Sequence, residues 1–277
     1  MKWYGKSIAR VLLTSVVGNK LNIGASNPMM GVDAPLLIVA SAVLALGGVV
    51  KGTIGVGLPV VVIAVLSNFL PVPLVLALVT VPILLTNLWQ VIEAGAPMVP
   101  LRRFWPMIVC LIVFIWIGAR FVIDLDPRVL YALVGSAVTL FVVTSYFKLH
   151  GTVSPSAERW AGPVAGMLGG LLGGISTIWG PPMMMYFVML RLPKEVYIQA
   201  VGLVWFIASI PLVAAYVRYG ILTTHTASLS AIACIPGAAG FFVGQRLRKR
   251  INQEVFRTLL LWFLLLVGLN LIRRAIF

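Results

Sequence analysis

Of 277 residues, 61% are hydrophobic and only 10% are charged, with a formal net charge of +14 and a mean hydropathy of +1.06. A soluble domain of that size could not cover its surface with so few polar groups, so the chain reads as an integral membrane protein. The basic excess then belongs at helix ends, where Lys and Arg set orientation and meet membrane lipid headgroups, and nucleic acid is excluded as a partner.

Residues 1–34 differ from the rest. Lys2, Lys6 and Arg10 recur every four residues beside Trp3, Ile8, Val11, Leu12 and Val16, the spacing of a basic amphipathic helix lying on a membrane surface. The pair Met29-Met30 leaves a second reading open, in which translation starts there and residues 1–28 stand outside the functional fold. From Pro35 the apolar runs follow closely. Runs at 35–50, 58–70, 74–92, 104–123 and 127–147 make a first transmembrane repeat over 35–147. A polar linker over 148–160 carries His150, Gly151, Ser154, Pro155 and Ser156. Runs at 161–175, 180–191, 196–217, 226–246 and 254–275 make a second repeat over 161–277. Cys110 and Cys234 lie inside apolar runs and read as small buried hydrophobes. The only histidines are His150 and His225, both at loop positions, so neither a metal site nor a cofactor is expected.

Two of the runs are short and begin at glycine- and proline-rich breaks in matching places. The first break reads Lys51-Gly52-Thr53-Ile54-Gly55-Val56-Gly57-Leu58-Pro59, the second Gly173-Gly174-Ile175-Ser176-Thr177-Ile178-Trp179-Gly180-Pro181-Pro182. Lipid cannot hydrogen-bond a free N–H or C=O, so irregular backbone at membrane depth survives only where protein or a water-filled cavity surrounds it. A matched pair of broken helices is the best sequence pointer to the binding site of a secondary transporter.

Shifting the chain by 123 residues sets Gly47 on Gly170, Thr53 on Ser176, Gly57 on Gly180, Pro59 on Pro182 and Ala77 on Ala200. A shift of 126 sets Gly118-Ala119-Arg120 on Gly244-Gln245-Arg246 and Leu130 on Phe256. The five-run pattern repeats with them, which argues for an internal duplication. Residues 35–70 as one straight helix would measure ~54 Å against a ~30 Å hydrocarbon core, so this segment folds back. Three full crossings follow in each half. Each repeat therefore crosses an odd number of times, and two such repeats joined by a short linker are inverted relative to each other. The expected fold is an all-α polytopic membrane protein of two inverted-topology repeats, about five hydrophobic segments each, with broken or re-entrant helices at the turns.

The turn from Gly52 to Pro59 resembles the signature of the sulfite exporter TauE/SafE family, as does its second copy, Gly169-Gly170-Leu171-Leu172-Gly173-Gly174 running to Gly180-Pro181-Pro182. The Gly-x-Arg ends, Gly118 to Arg120 and Gly244 to Arg246, are also typical of that family, and the resemblance covers about residues 35–276. It implies a carrier in the bacterial cytoplasmic membrane for a small inorganic or organosulfur anion such as sulfite or an organosulfonate, in many members working outward. The Gly55-Val56-Gly57 run departs from the usual three consecutive glycines.

The residues suggest how an anion would be held. A helix N-terminus carries roughly half a positive charge and unpaired N–H groups. Helices starting at 58 and 180 would aim two such ends at a shared cavity, with Gly55, Gly57, Pro59, Gly180 and Pro181 shaping the turns. Thr53, Ser176 and Thr177 offer hydroxyls, and Lys51 is the one basic residue written into a break; the alternative for Lys51 is snorkelling to the interface. Asn87, Gln90 and Gln199 could reach the cavity or only bond neighbouring helices, and Trp179 and Trp205 would gate or pack it. Gly162, Gly166, Gly170 and Gly174, four apart, read as a helix-packing stripe, and Arg120 and Arg246 as interface anchors.

The seven acids, Asp33, Glu93, Asp124, Asp126, Glu158, Glu195 and Glu254, all fall in loops or at helix ends, so no carboxylate proton relay is expected. An anion moving outward along an inside-negative potential gains ~2.3 kcal/mol per 100 mV and needs none. The face carrying Arg102, Arg103, Lys148, Arg159, Arg191, Lys194 and the Arg246–Arg250 cluster reads as cytoplasmic by its positive charge. An enzyme would need a nucleophile with a base, or metal ligands, at membrane depth, and no His, Asp or Glu lies there. A channel using the same helix ends, a cation-coupled importer and assembly as a homo-oligomer are left open.

Overall fold

A computed structural model describes residues 34–95, 98–146, 154–248, 250 and 253–276. The amphipathic reading of residues 1–33 and most of the linker lie outside the described residues. The described backbone forms ten α-helices: α1 Ala34–Ile54, α2 Leu58–Leu66, α3 Val72–Ala94, α4 Met98–Asp124, α5 Pro127–Tyr146, α6 Pro155–Ser176, α7 Gly180–Met189, α8 Lys194–Arg218, α9 Thr224–Leu247 and α10 Gln253–Ile276. Each corresponds to one apolar run of the sequence. Six of them, α1, α3, α4, α5, α8 and α9, are long and apolar enough to cross a membrane. α6 starts earlier than its apolar run because Ser154 caps it, accepting from the Ala157 N–H, with Pro155 at its first position.

α2 and α7 have 9 and 10 residues, about 15 Å each at 1.5 Å per residue, half of a ~30 Å hydrocarbon core. Glycine sets the first break: Gly55 and Gly57 adopt φ of 91° and 112°, a region that favours residues without Cβ. The second break turns on Thr177 at φ 56°, a β-branched residue held in the left-handed region at a cost of roughly 1–2 kcal/mol. Val50 lies against Gly57 and Val62 against Gly47, so α2 folds back antiparallel along α1.

Glycine contacts give the helix directions. On α6, a Cβ at Gly166, Gly170 or Gly174 would run into the backbone of Met107, Leu111 or Ile115, the approach at Gly170 being 2.6 Å from the Leu111 carbonyl oxygen. Rising numbers on both helices make α4 and α6 parallel, backbone to backbone, the close approach that small residues permit. Gly48 and Gly52 lie in the same way on Gly237 and Phe241, and Gly240 and Gly244 on Ala45 and Val49, so α1 runs parallel to α9. α3 and α8 run antiparallel: Asn87 bonds Ser209, Gly202 faces Gln90, and Gln199 reaches Ala94. α5 and α10 cross antiparallel where Gly135 meets Gly268 and Ile272.

Three element boundaries around the breaks recur at an offset of 122 residues, 54 to 176, 58 to 180 and 72 to 194, whereas α9 and α10 start 126 residues after α4 and α5. Glycine roles around the breaks follow the offset of 122. Gly47 and Gly169 face the half-helices α2 and α7, while Gly48 and Gly170, and Gly52 and Gly174, each press on a neighbouring long helix. Around the breaks this register differs by one residue from the offset of 123 that matches glycine to glycine, while the starts of α4 and α9 and of α5 and α10 keep the offset of 126. In the 122-residue register Gly57 aligns with Trp179 and Asn87 with Ser209.

Proline inside α3 is accommodated by another helix. Pro82 has no N–H for the Leu78 carbonyl, and Ser230 of α9 donates to that oxygen at 3.0 Å while accepting from the Val81 N–H at 3.1 Å. In lipid such a repair is required, because no water reaches the freed carbonyl.

Candidate functional site

Both breaks line one cavity. Val56, Gly57, Pro59 and Val60 enter it from the first, and Thr177, Ile178, Trp179 and Gly180 from the second; Ile83 and Asn87 of α3, Phe141 of α5 and Trp205 of α8 complete the wall. Its volume is about 20 Å³, enough for a water molecule and less than an oxyanion of several heavy atoms needs. The site is thus constricted in this conformation.

The starts of α2 and α7 meet here, and their sequences suit an apolar setting. Pro59, Pro181 and Pro182 remove N–H groups from the first turns, so fewer donors are left without partners when the cavity is empty. The hydroxyl of Thr177 is buried, 1% exposed, and has no hydrogen-bond partner. A buried polar group without a partner costs about 1–3 kcal/mol.

Beside the cavity lies a buried polar network. Lys51, only 2% exposed, does not snorkel: its ammonium donates to Thr86 Oγ1 at 2.9 Å and to Asn87 Oδ1. Asn87 in turn donates to the Trp205 carbonyl at 3.0 Å and to Ser209 Oγ at 2.8 Å. Asn87 and Ser209 each stand fifteen residues after the first residue of their helix (72 to 87, 194 to 209). In antiparallel helices of similar length, that puts their contact near mid-height. Among the described residues the ion pairs are Arg103–Glu158 and Arg120–Asp124, and neither includes Lys51.

The remaining candidates separate by what their polar atoms touch. Thr53 donates to the carbonyls of Val49 and Val50 in its own helix, and Ser176 to that of Leu172, as helical Ser and Thr commonly do. Gln90 donates to the Gly55 carbonyl at 2.6 Å and ties the first break to α3. Gln199 reaches the Ala94 carbonyl at 3.5 Å, at the far end of α3. Pro181 is buried at the start of α7. Gly57, Pro59, Asn87, Thr177, Trp179 and Gly180 are brought to the cavity, Lys51 lies one hydrogen bond behind it, and Thr53, Ser176 and Gln199 are turned elsewhere. Phe141, Thr86 and Ser209 carry no local sequence signal and were not among the candidates, and Ile178, although inside the second break, was not named among them either. Among the described residues, no group of His, Cys, Asp and Glu gathers to hold a metal ion.

Six membrane-length helices, two half-helices meeting end-on at a small cavity and a buried cation beside it define an integral membrane protein of transporter type. A model of the sulfite exporter TauE/SafE family matches residues 40–271, and the chain belongs to that family, a family of membrane transporters. No curated protein and no solved structure matches the chain.

Proposed function

We propose that this protein carries a small sulfur oxyanion, sulfite or an organosulfonate, across the bacterial cytoplasmic membrane by alternating access, outward and driven by the membrane potential. The observation that supports this most directly is the meeting of both backbone breaks at one cavity, with the unpartnered hydroxyl of Thr177 in its wall. The N-termini of α2 and α7 supply partial positive charge, and Thr177 donates to a sulfonyl oxygen. Lys51, when protonated, supplies a countercharge behind Asn87. Gly57, Pro59, Trp179 and Gly180 form the substrate's immediate surroundings.

The helix directions favour two inverted five-helix repeats, 35–147 and 161–277. Under an in-plane twofold relation each helix runs antiparallel to its own counterpart, and α3 against α8 and α5 against α10 do so. Rocking one repeat against the other would widen the cavity toward one side at a time. A volume of about 20 Å³ favours such a carrier over an open pore. The decisive experiment is counterflow of labelled sulfite into proteoliposomes loaded with unlabelled sulfite, taurine or sulfoacetate, at clamped potential. Saturable exchange accelerated by an internal anion is expected; no exchange from folded protein, or flux that does not saturate, would overturn the proposal.

A further inference from the structure

A second polar pocket lies at the end of the bundle where α4, α6 and α8 begin and α7 ends. Arg103, Phe104, Pro106, Met107, Glu158, Arg159, Gly162, Pro163 and Tyr186 line it, and its volume is about 200 Å³, ten times that of the central cavity. Basic residues also gather where Glu93 at the end of α3 bonds Gln245 at the end of α9, in a surface pocket that Arg246 and Arg250 line with them.

Two cations and one carboxylate face the pocket, leaving one positive charge unbalanced. Arg103 holds Glu158 with a two-pronged contact, Nε to Oε1 at 2.8 Å and Nη2 to Oε2 at 3.0 Å. The Arg103 side chain is 43% exposed and that of Glu158 24%, so the pair stabilises the fold little. Its geometry is nevertheless the fork that guanidinium offers to any planar pair of oxygens, and a sulfonate or sulfite presents the same pair.

Rings fill the way from this pocket to the central cavity. Phe104, which lines the pocket, packs edge-on against Phe187 at 5.2 Å between centroids, and Phe187 lies 6.4 Å from Trp205, which lines the central cavity. Phe104 and Phe187 are fully buried. The Arg103 guanidinium sits 5.5 Å over the Phe104 ring, so the outermost cation lies in contact with the outermost ring.

We propose that this pocket is an outer binding site for the small oxyanion, in which the anion displaces Glu158 from Arg103 and then passes the Phe104–Phe187–Trp205 rings to reach the central cavity. This rests on reading the chain as an oxyanion carrier. Arg159 adds attraction at the pocket mouth, and Gly162 leaves room for the Tyr186 hydroxyl, which a Cβ there would approach to 3.1 Å.

The test has two arms on the full-length protein. In the first, sulfite counterflow compares Arg103→Gln, Glu158→Gln and the exchanged pair Arg103→Glu/Glu158→Arg. Glu158→Gln should lower KM severalfold and Arg103→Gln should raise it at least tenfold. The exchanged pair should keep the thermal midpoint of the parent and the poor KM of Arg103→Gln. Recovery of the parental KM by the exchanged pair would show a merely structural ion pair and overturn the proposal.

The second arm needs no transport. In a Cys110→Ala/Cys234→Ala background, Pro163→Cys should react at least tenfold faster with a sulfonate-bearing methanethiosulfonate than with its trimethylammonium analogue, and Arg103→Gln should abolish that preference. Equal rates, or a preference that survives Arg103→Gln, would overturn the outer site even if counterflow succeeds. Absence of counterflow together with a preserved, Arg103-dependent preference would instead overturn the carrier reading and leave the anion pocket standing.

Discussion

Lys51 on α1 donates its ammonium protons to Asn87 on α3, at a depth where α3 also bonds α8, and neither ion pair among the described residues includes it. Burying a cation costs several kcal/mol unless a partner compensates it. Thr86 and Asn87 offer only neutral oxygens. A buried charge held only by neutral oxygens is what the proposed anion site would use, and it can be tested on Lys51 directly. Lys51→Gln keeps a donor for Asn87 and removes the charge. We expect a thermal midpoint equal to or above the parent's and sulfite counterflow reduced at least tenfold. A variant that loses stability and transport in proportion would make Lys51 a structural residue.

Thr177 gives a sharper version of the same trade. Its hydroxyl is buried without a partner in the cavity wall, so Thr177→Val removes a polar liability of about 1–3 kcal/mol while keeping the β-branched shape. The expected outcome is a small gain in thermal stability with a severalfold rise in KM for sulfite. Thr177→Gly should stabilise the turn by about 1 kcal/mol, because φ 56° no longer meets a Cβ. A normal KM in Thr177→Val would remove this hydroxyl from the substrate site.

Much of the fold was legible because glycine and proline punctuate it. Each apolar run became one helix, and both half-helices start at the Leu58-Pro59 and Gly180-Pro181-Pro182 signals. The site was legible in part. Backbone breaks announce themselves, so Gly57, Pro59, Thr177 and Gly180 could be placed together and do line one cavity, whereas side-chain direction in a uniformly apolar helix leaves little trace. Phe141 and Ser209 looked like any other membrane residue until tertiary packing turned them inward. Thr53 and Ser176 donate to carbonyls three or four residues back in their own helices, as a hydroxyl inside a helix usually does, and Ser176 also accepts from the Ile178 N–H in the second break. The offset of 123 matches Gly57 to Gly180 by identity, whereas the helix boundaries around the breaks align Gly57 with Trp179.

The glycine stripes predict a graded pattern of damage. Gly170→Ala on α6 and Gly52→Ala on α1 would each push a methyl group into a facing backbone, so both should lower the thermal midpoint by several degrees or prevent folding. Gly202→Ala on α8 is the control, since its nearest neighbour is the Gln90 carbonyl oxygen at 3.5 Å, ordinary contact. Helix propensity should then make Gly202→Ala neutral or stabilising by up to about 1 kcal/mol. Equal tolerance at all three positions, measured by thermal unfolding in detergent, would contradict the backbone-to-backbone packing of α1 on α9 and α4 on α6.

Ser230 and Pro82 should behave as a coupled pair although they lie on different helices. Ser230→Ala leaves the Leu78 carbonyl and the Val81 N–H without the partner that now serves both, and should destabilise by about 1–3 kcal/mol. Pro82→Ala restores an N–H that can bond the Leu78 carbonyl within α3, so the same serine substitution should cost less in that background. The thermodynamic cycle should therefore show a coupling of about 1 kcal/mol or more, well outside the few tenths expected of independent sites. Additive effects would mean that Ser230 does not repair the proline break, and the contact between α3 and α9 would then rest on side-chain packing such as Trp89 against Phe242.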